Sequence, residues 1–268
     1  MARKESSGKP LVSSLKKTSP GRLQNLSVTR LIPNIATIIA LCMGMSSIRF
    51  VLLNQYDYAL AAILTAAFFD TLDGRLARLL GAASDFGAEL DSLSDFISFG
   101  VAPAIILYVI SLKTLNGMGW SVSLIFAVCQ GLRLARFNTA LRAPNVNQQP
   151  AWKKDFFVGV PAPVSAMIAL FPLEIHLATR YDFFLNPFFV AIFMIGAGIL
   201  AISRLPTFSL KNFQIPQKMV LPVMLLVGIT VAAFISDVWL TLSCLVLIYL
   251  AVIPFSVRNH RRMTLGGH

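Results

Sequence analysis

Six of the chain's 12 acidic residues fall within one window, Asp70 to Asp95, flanked on both sides by apolar runs long enough to enter a membrane. They are Asp70, Asp73, Asp85, Glu89, Asp91 and Asp95. A carboxylate at membrane depth is costly, and one that is retained there marks an ion site, a proton path or catalysis. On a helix, residues three or four apart share a face, which pairs Asp70 with Asp73 and, on the next helix, Asp91 with Asp95. Oxygen-donor side chains paired in this way on two neighbouring helices form a site for hard divalent cations such as Mg²⁺ or Mn²⁺.

The residues between the acids indicate what else is bound. Gly74 and Ala77 leave a nearly bare strip beside the acids, against which a flat group such as a nucleotide can lie. Arg78 adds a planar cation suited to phosphate. Ser84 and Gly87 supply a hydroxyl and a second bare spot before the second acidic pair. The competing reading is a proton relay or a salt-bridged helix pair in a transporter, which requires neither glycine at these offsets.

Composition sets the class. The chain has 268 residues, 56% of them hydrophobic and 13% charged, with a mean hydropathy of +0.71. That is the profile of an all-α, polytopic membrane protein and not of a soluble domain. Eight spans are expected, at about 35–53, 58–80, 86–112, 120–141, 156–178, 183–205, 219–236 and 238–257. Pro33-Asn34 suit a helix entry for the first, and a tight turn near Gly81 joins the second to the third. Residues 1–30 read as a basic tail with a weak interfacial helix from residue 20 and no cleavable leader. A membrane domain over 31–205, a hairpin over 206–257 and a short tail over 258–268 follow.

The net charge of +11 does not signal nucleic acid, because the basic residues sit in short segments beside apolar runs. Such segments encode topology and contact with anionic lipid. An even number of spans puts every Lys and Arg except Arg49, Lys113 and Arg180 on the side of the termini. Termini and acidic site are therefore expected at the cytoplasmic face of the cell membrane. Cys42, Cys129 and Cys244 all lie in apolar runs without metal spacing, and read as small buried hydrophobes.

Asp70-x-x-Asp73-Gly74-x-x-Ala77-Arg78, then eight residues to Gly87, Asp91 and Asp95, resembles the signature of the CDP-alcohol phosphotransferases at every defining position. The resemblance implies a six-helix membrane core with a two-helix extension. It also implies transfer of a phospho-alcohol from a CDP-alcohol to a second alcohol, with release of CMP. It makes Asp70, Asp73, Asp91 and Asp95 ligands of two divalent cations, Mg or Mn, and Asp95 the general base. It places the CDP moiety against Gly74, Ala77, Arg78, Ser84 and Gly87, and against Asn34, for which a helix cap is an equal reading. Homodimers are common in the family.

Three further stretches resemble the prokaryotic phosphatidylserine synthases: Asp95–Ala104, Gly131–Asn138 and Gly159–Pro163. In those enzymes CDP-diacylglycerol is the donor and L-serine the acceptor, whereas choline or a polyol phosphate serves other members. Arg133, Arg136 and Asn138 are the candidate acceptor-binding residues, since a serine carboxylate needs a cation. The alternative is that both arginines are interfacial anchors.

Overall fold

The computed structural model describes residues 28–82, 84–141, 156–203, 206–208 and 219–265. Residues 1–27, Arg142, Lys153, Lys154, Arg204, Lys211 and Lys218, which entered the topology argument, lie outside the described residues. Helix α1 covers Val28–Leu52 and α2 covers Tyr56–Leu79; α3, Asp85–Asp95, continues through a π-helical turn, Phe96–Val101, into α4, Ala102–Ile110. Then come α5, Gly117–Leu141; β1, Phe156–Val158; α6, Ala162–Thr179; and α7, Pro187–Ile202. Strand β2, Pro206–Phe208, precedes α8, Val220–Ser236, and α9, Val238–Leu265.

With α3, the π turn and α4 counted as one rod, the described residues form the eight helical rods that the apolar runs predict, a polytopic membrane bundle. Four are long and apolar enough to cross a membrane unaided: Leu31–Leu52, Asp85–Ile110, Gly117–Ala140 and Ala162–Thr179. Shorter apolar helices lie at Pro187–Ile202, Val220–Ser236 and Val238–Ile253, and α2 carries the charged end that holds the acids.

Four details depart from the sequence reading. Cys42 and Cys244, read as buried, are exposed on the protein surface. Pro33 does not open α1, because the helix is under way from Val28, and Asn34 is therefore not a helix cap. Phe156 does not begin a span: Phe156–Val158 pairs antiparallel with Pro206–Phe208, Phe157 opposite Thr207, and the helix starts only at Ala162. The third span is not one regular helix. Pro103 near the start of α4 has no N–H to donate back, and the ladder ahead of it widens, Ala102 N–H reaching Ile97 O. That widened turn begins directly after Asp95.

Small residues bring the site helices together. The Ser94 hydroxyl donates to Thr37 O at 3.2 Å and the Ser98 hydroxyl to Ala40 O at 3.3 Å, stitching α3 and the π turn to α1. A side chain at Gly44 would overlap Ser98, so the crossing depends on that glycine. The core is centred on Leu60, Ile63, Phe99, Ile106, Leu107, Phe126, Ile168, Leu170 and Met194, all buried. Helix α8, by contrast, buries no residue and presents Leu221, Met224, Leu225 and Ile235 outward, as a lipid-facing helix does.

Candidate active site

Helix α2 ends in a Schellman turn. Ala82 N–H bonds Ala77 O at 2.9 Å, Gly81 N–H bonds Arg78 O at 3.4 Å, and Gly81 takes the left-handed φ of +57° that closes the motif. The chain then restarts as α3 at Ser84, an N-cap whose hydroxyl accepts from Gly87 N–H at 3.0 Å. Helices α2 and α3 both pack against α1 on either side of this reversal, which brings Asp70 of the one to Asp91 and Asp95 of the other.

The carboxylates divide by environment. Asp70, Asp91 and Asp95 each offer an oxygen within 4.8 Å of the other two. One oxygen of Asp95, Oδ1, is shut from solvent and accepts no hydrogen bond. Three crowded carboxylates, one with an orphaned oxygen, suit a hard cation, which would relieve their repulsion and take up the free lone pairs. Asp73 stands outside this group. It is only 4% exposed, and its Oδ2 accepts from the Thr37 hydroxyl at 2.6 Å.

Beside the cluster lies a cavity of about 180 Å³ between α1, α2 and α3. Asn34, Asp73, Gly74, Ala77, Ser84, Gly87 and Asp91 line it, together with Pro33, Thr37, Ala82 and Ala88. Asp91 therefore belongs both to the carboxylate group and to the cavity wall. The two glycines serve different purposes. A Cβ at Gly74 would meet nothing within 4 Å, so its bareness leaves space in the cavity and is not needed for packing. A Cβ at Gly87 would stand 2.9 Å from Asn34 Oδ1 and 3.1 Å from Ser84 Oγ, so here the bareness admits Asn34 to the wall. Arg78 is exposed in the last turn of α2 and is not among the lining residues.

The three acceptor candidates also separate. Arg136 donates from Nη1 to Ile202 O at 2.7 Å and from Nη2 to Ser203 O at 3.3 Å, satisfying carbonyls at the end of α7. Asn138 donates to Ser92 Oγ at 2.9 Å and ties α5 to α3. Arg133 uses its Nε on Val160 O at 2.7 Å, and its guanidinium lies within electrostatic reach of Asp95 and Asp70. Of the three, Arg133 is the one beside the acids.

Sequence reasoning passed over Thr37. Its position one turn beyond Pro33-Asn34, a hydroxyl facing the same way within an apolar run, was the available signal.

Comparison with known proteins extends this picture beyond the signature. Residues 30–208 match the family described as CDP-alcohol phosphatidyltransferase, and residues 218–254 match one described as CDP-alcohol phosphatidyltransferase 2. A Mycobacterium leprae protein named CDP-diacylglycerol–serine O-phosphatidyltransferase is 38% identical over 244 residues, 91% of this chain and 80% of that protein. Proteins of the same name from Helicobacter pylori and Bacillus subtilis are each 33% identical. The first similarity spans 67% of this chain and 73% of the relative, the second 65% and 88%. A match over residues 30–208, together with relatives that are similar along most of the chain, places this chain in the CDP-alcohol phosphatidyltransferase family.

Proposed function

We propose that the protein transfers the phosphatidyl group of CDP-diacylglycerol to the hydroxyl of L-serine, yielding phosphatidylserine and CMP. The observation that carries this reading is the junction at Asp91, which both lines a cavity with a bare Gly74–Ala77 wall and belongs to a three-carboxylate cluster. The names of the relatives support serine as acceptor and CDP-diacylglycerol as donor.

The cytidine nucleotide lies against Gly74 and Ala77, with Asn34, Ser84 and Gly87 opposite, and the exposed Arg78 guards the phosphate end. The serine hydroxyl oxygen attacks the phosphorus that bears diacylglycerol. The bond from that phosphorus to the CMP oxygen breaks, and the hydroxyl proton passes to Asp95, whose Oδ1 has no other partner. Asp73, fixed by Thr37, holds the wall beside the leaving group. Asp70, Asp91 and Asp95, with Asp73 beside them, would hold two divalent cations, Mg or Mn. When bound, these supply charge neutralisation of the pyrophosphate oxygens. The site faces the cytoplasm of the cell membrane, with anionic lipid along the basic flanks, and the protein acts as a homodimer.

The test is CMP release by purified protein given CDP-diacylglycerol and Mn²⁺ or Mg²⁺, with L-serine, choline, glycerol 3-phosphate and inositol phosphate offered separately. Serine alone should support fast release. Preference for choline or a polyol phosphate would overturn the acceptor assignment, and undiminished release after metal stripping in excess chelator would overturn the role given to the carboxylates.

A further inference from the structure

The described residues hold a second group of unmet polar atoms, and it reaches an element that bears no part of the signature. Asp95 Oδ1, Gln130 Oε1 and the Tyr249 hydroxyl are all shut from solvent without a hydrogen-bond partner. Buried polar atoms are paired in the great majority of cases, so unpaired ones invite a ligand. Arg133 links these three. It lies within electrostatic reach of both Asp95 and Tyr249, and Gln130 precedes it by three residues on α5, on the same face. Gln130 is itself 1% exposed, and its Nε2 donates to Ser165 Oγ at 2.8 Å, which fixes the side chain with Oε1 left over.

Tyr249 sits on α9, outside the 30–208 match, yet α9 is not peripheral. The Trp239 indole donates to Asp57 Oδ1 at 3.0 Å and pins the start of α9 to the start of α2. Ser243 and Val246 are buried, and Trp239, Tyr249, Leu250 and Ile253 pack against the core along the same stripe. Tyr249 lies on that packed stripe, within electrostatic reach of Arg133. The Arg133 Nε is committed to Val160 O, and its two Nη groups make no hydrogen bond to the described residues.

We propose that Tyr249 is an acceptor-binding residue: its hydroxyl and the Arg133 Nη groups together take the carboxylate of an amino-acid alcohol, and Gln130 Oε1 accepts from its ammonium. This rests on the serine reading above and adds to it a contribution from the last helix. A zwitterion bound this way is held at both charged ends, which leaves its hydroxyl as the group turned to Asp95. A phosphorylated polyol, lacking the ammonium, would offer Gln130 Oε1 only neutral hydroxyl donors.

The experiment measures CMP release over a range of serine concentrations at fixed CDP-diacylglycerol, and over a range of donor at fixed serine. It compares the wild type, Tyr249→Phe and Ser243→Ala. Tyr249→Phe keeps the ring and its packing and removes only the hydroxyl, while Ser243→Ala removes another buried, unpartnered hydroxyl from the same helix. The Tyr249→Phe protein should show a serine KM raised about tenfold, equivalent to about 1.4 kcal/mol, with the donor KM changed less than twofold. Serine-induced thermal stabilisation, read with CMP present, should shift to correspondingly higher serine. Ser243→Ala should match the wild type in both. An unchanged serine KM in Tyr249→Phe, or equal rises in both KM values, overturns the proposal. A wild type that uses another alcohol but not serine defeats the serine assignment itself. The Tyr249→Phe comparison made with that alcohol then decides the tyrosine, since an unchanged acceptor KM there rejects it too.

Discussion

Gly74 and Gly87 face the same cavity, and a methyl group added to each meets different surroundings. At Gly74 the added carbon touches nothing, and alanine is favoured over glycine within a helix by about 1 kcal/mol. Gly74→Ala should therefore unfold at an equal or higher temperature in detergent while its KM for the donor rises. At Gly87 the same change forces Asn34 and the Ser84 cap to give way, so Gly87→Ala should lose both thermal stability and activity. A Gly74→Ala protein with unaltered donor KM would mean that the nucleotide does not lie on this strip. Asp91 offers a second separation of function from folding. An amide is cheaper than a charge near the membrane, so Asp91→Asn should stay folded and in the membrane with CMP release abolished. Loss of the folded protein would make the carboxylate structural.

At the level of helices, the arginine pair on α5 shows what sequence can and cannot display. Spacing put Arg133 and Arg136 on one face, and that face does turn inward; which partner each finds was decided by segments far along the chain. Arg136 meets the carbonyls of Ile202 and Ser203 from α7, and Arg133 meets Val160 and the neighbourhood of Asp95. Arg136→Gln should thus lower the unfolding temperature with little change in serine KM. Arg133→Gln should raise serine KM by about ten- to a hundredfold, the worth of roughly 1.5–3 kcal/mol for a charge-assisted hydrogen bond. Equal effects of the two variants on serine KM would reject this division.

The same logic sorts the rest. Run lengths and the turn at Gly81 made the helical rods and the approach of the acids legible, since those signals are local. The β1–β2 ribbon was not legible, because three-residue strands about fifty residues apart carry no periodicity of their own. Nor was the withdrawal of Asp73 from its partner Asp70, which depends on a threonine of α1. The π turn did have a local cue in Pro103, but a proline in an apolar run is equally compatible with a simple kink.

On the scale of the whole molecule, the exposed surface is itself a statement about solvent. Leu79 and Phe86, on the two helices that carry the acids, are 82% and 70% exposed, and the outward face of α8 is apolar along its length. The lipid tails of a donor seated in the cavity have a hydrocarbon surface to follow out of the protein and need not leave the bilayer. The two substrates then obey different concentration scales. Serine arrives from bulk water and is counted in moles per litre, whereas the donor arrives by lateral diffusion and is counted as a fraction of the surrounding amphiphile. Adding detergent at constant bulk donor should slow CMP release in proportion to surface dilution and leave the apparent serine KM in place. A rate indifferent to added detergent would mean that the donor enters from the water. The reaction is, in kinetic terms, two-dimensional on one side and three-dimensional on the other, and the supply of donor in the membrane, not its total amount, sets the pace.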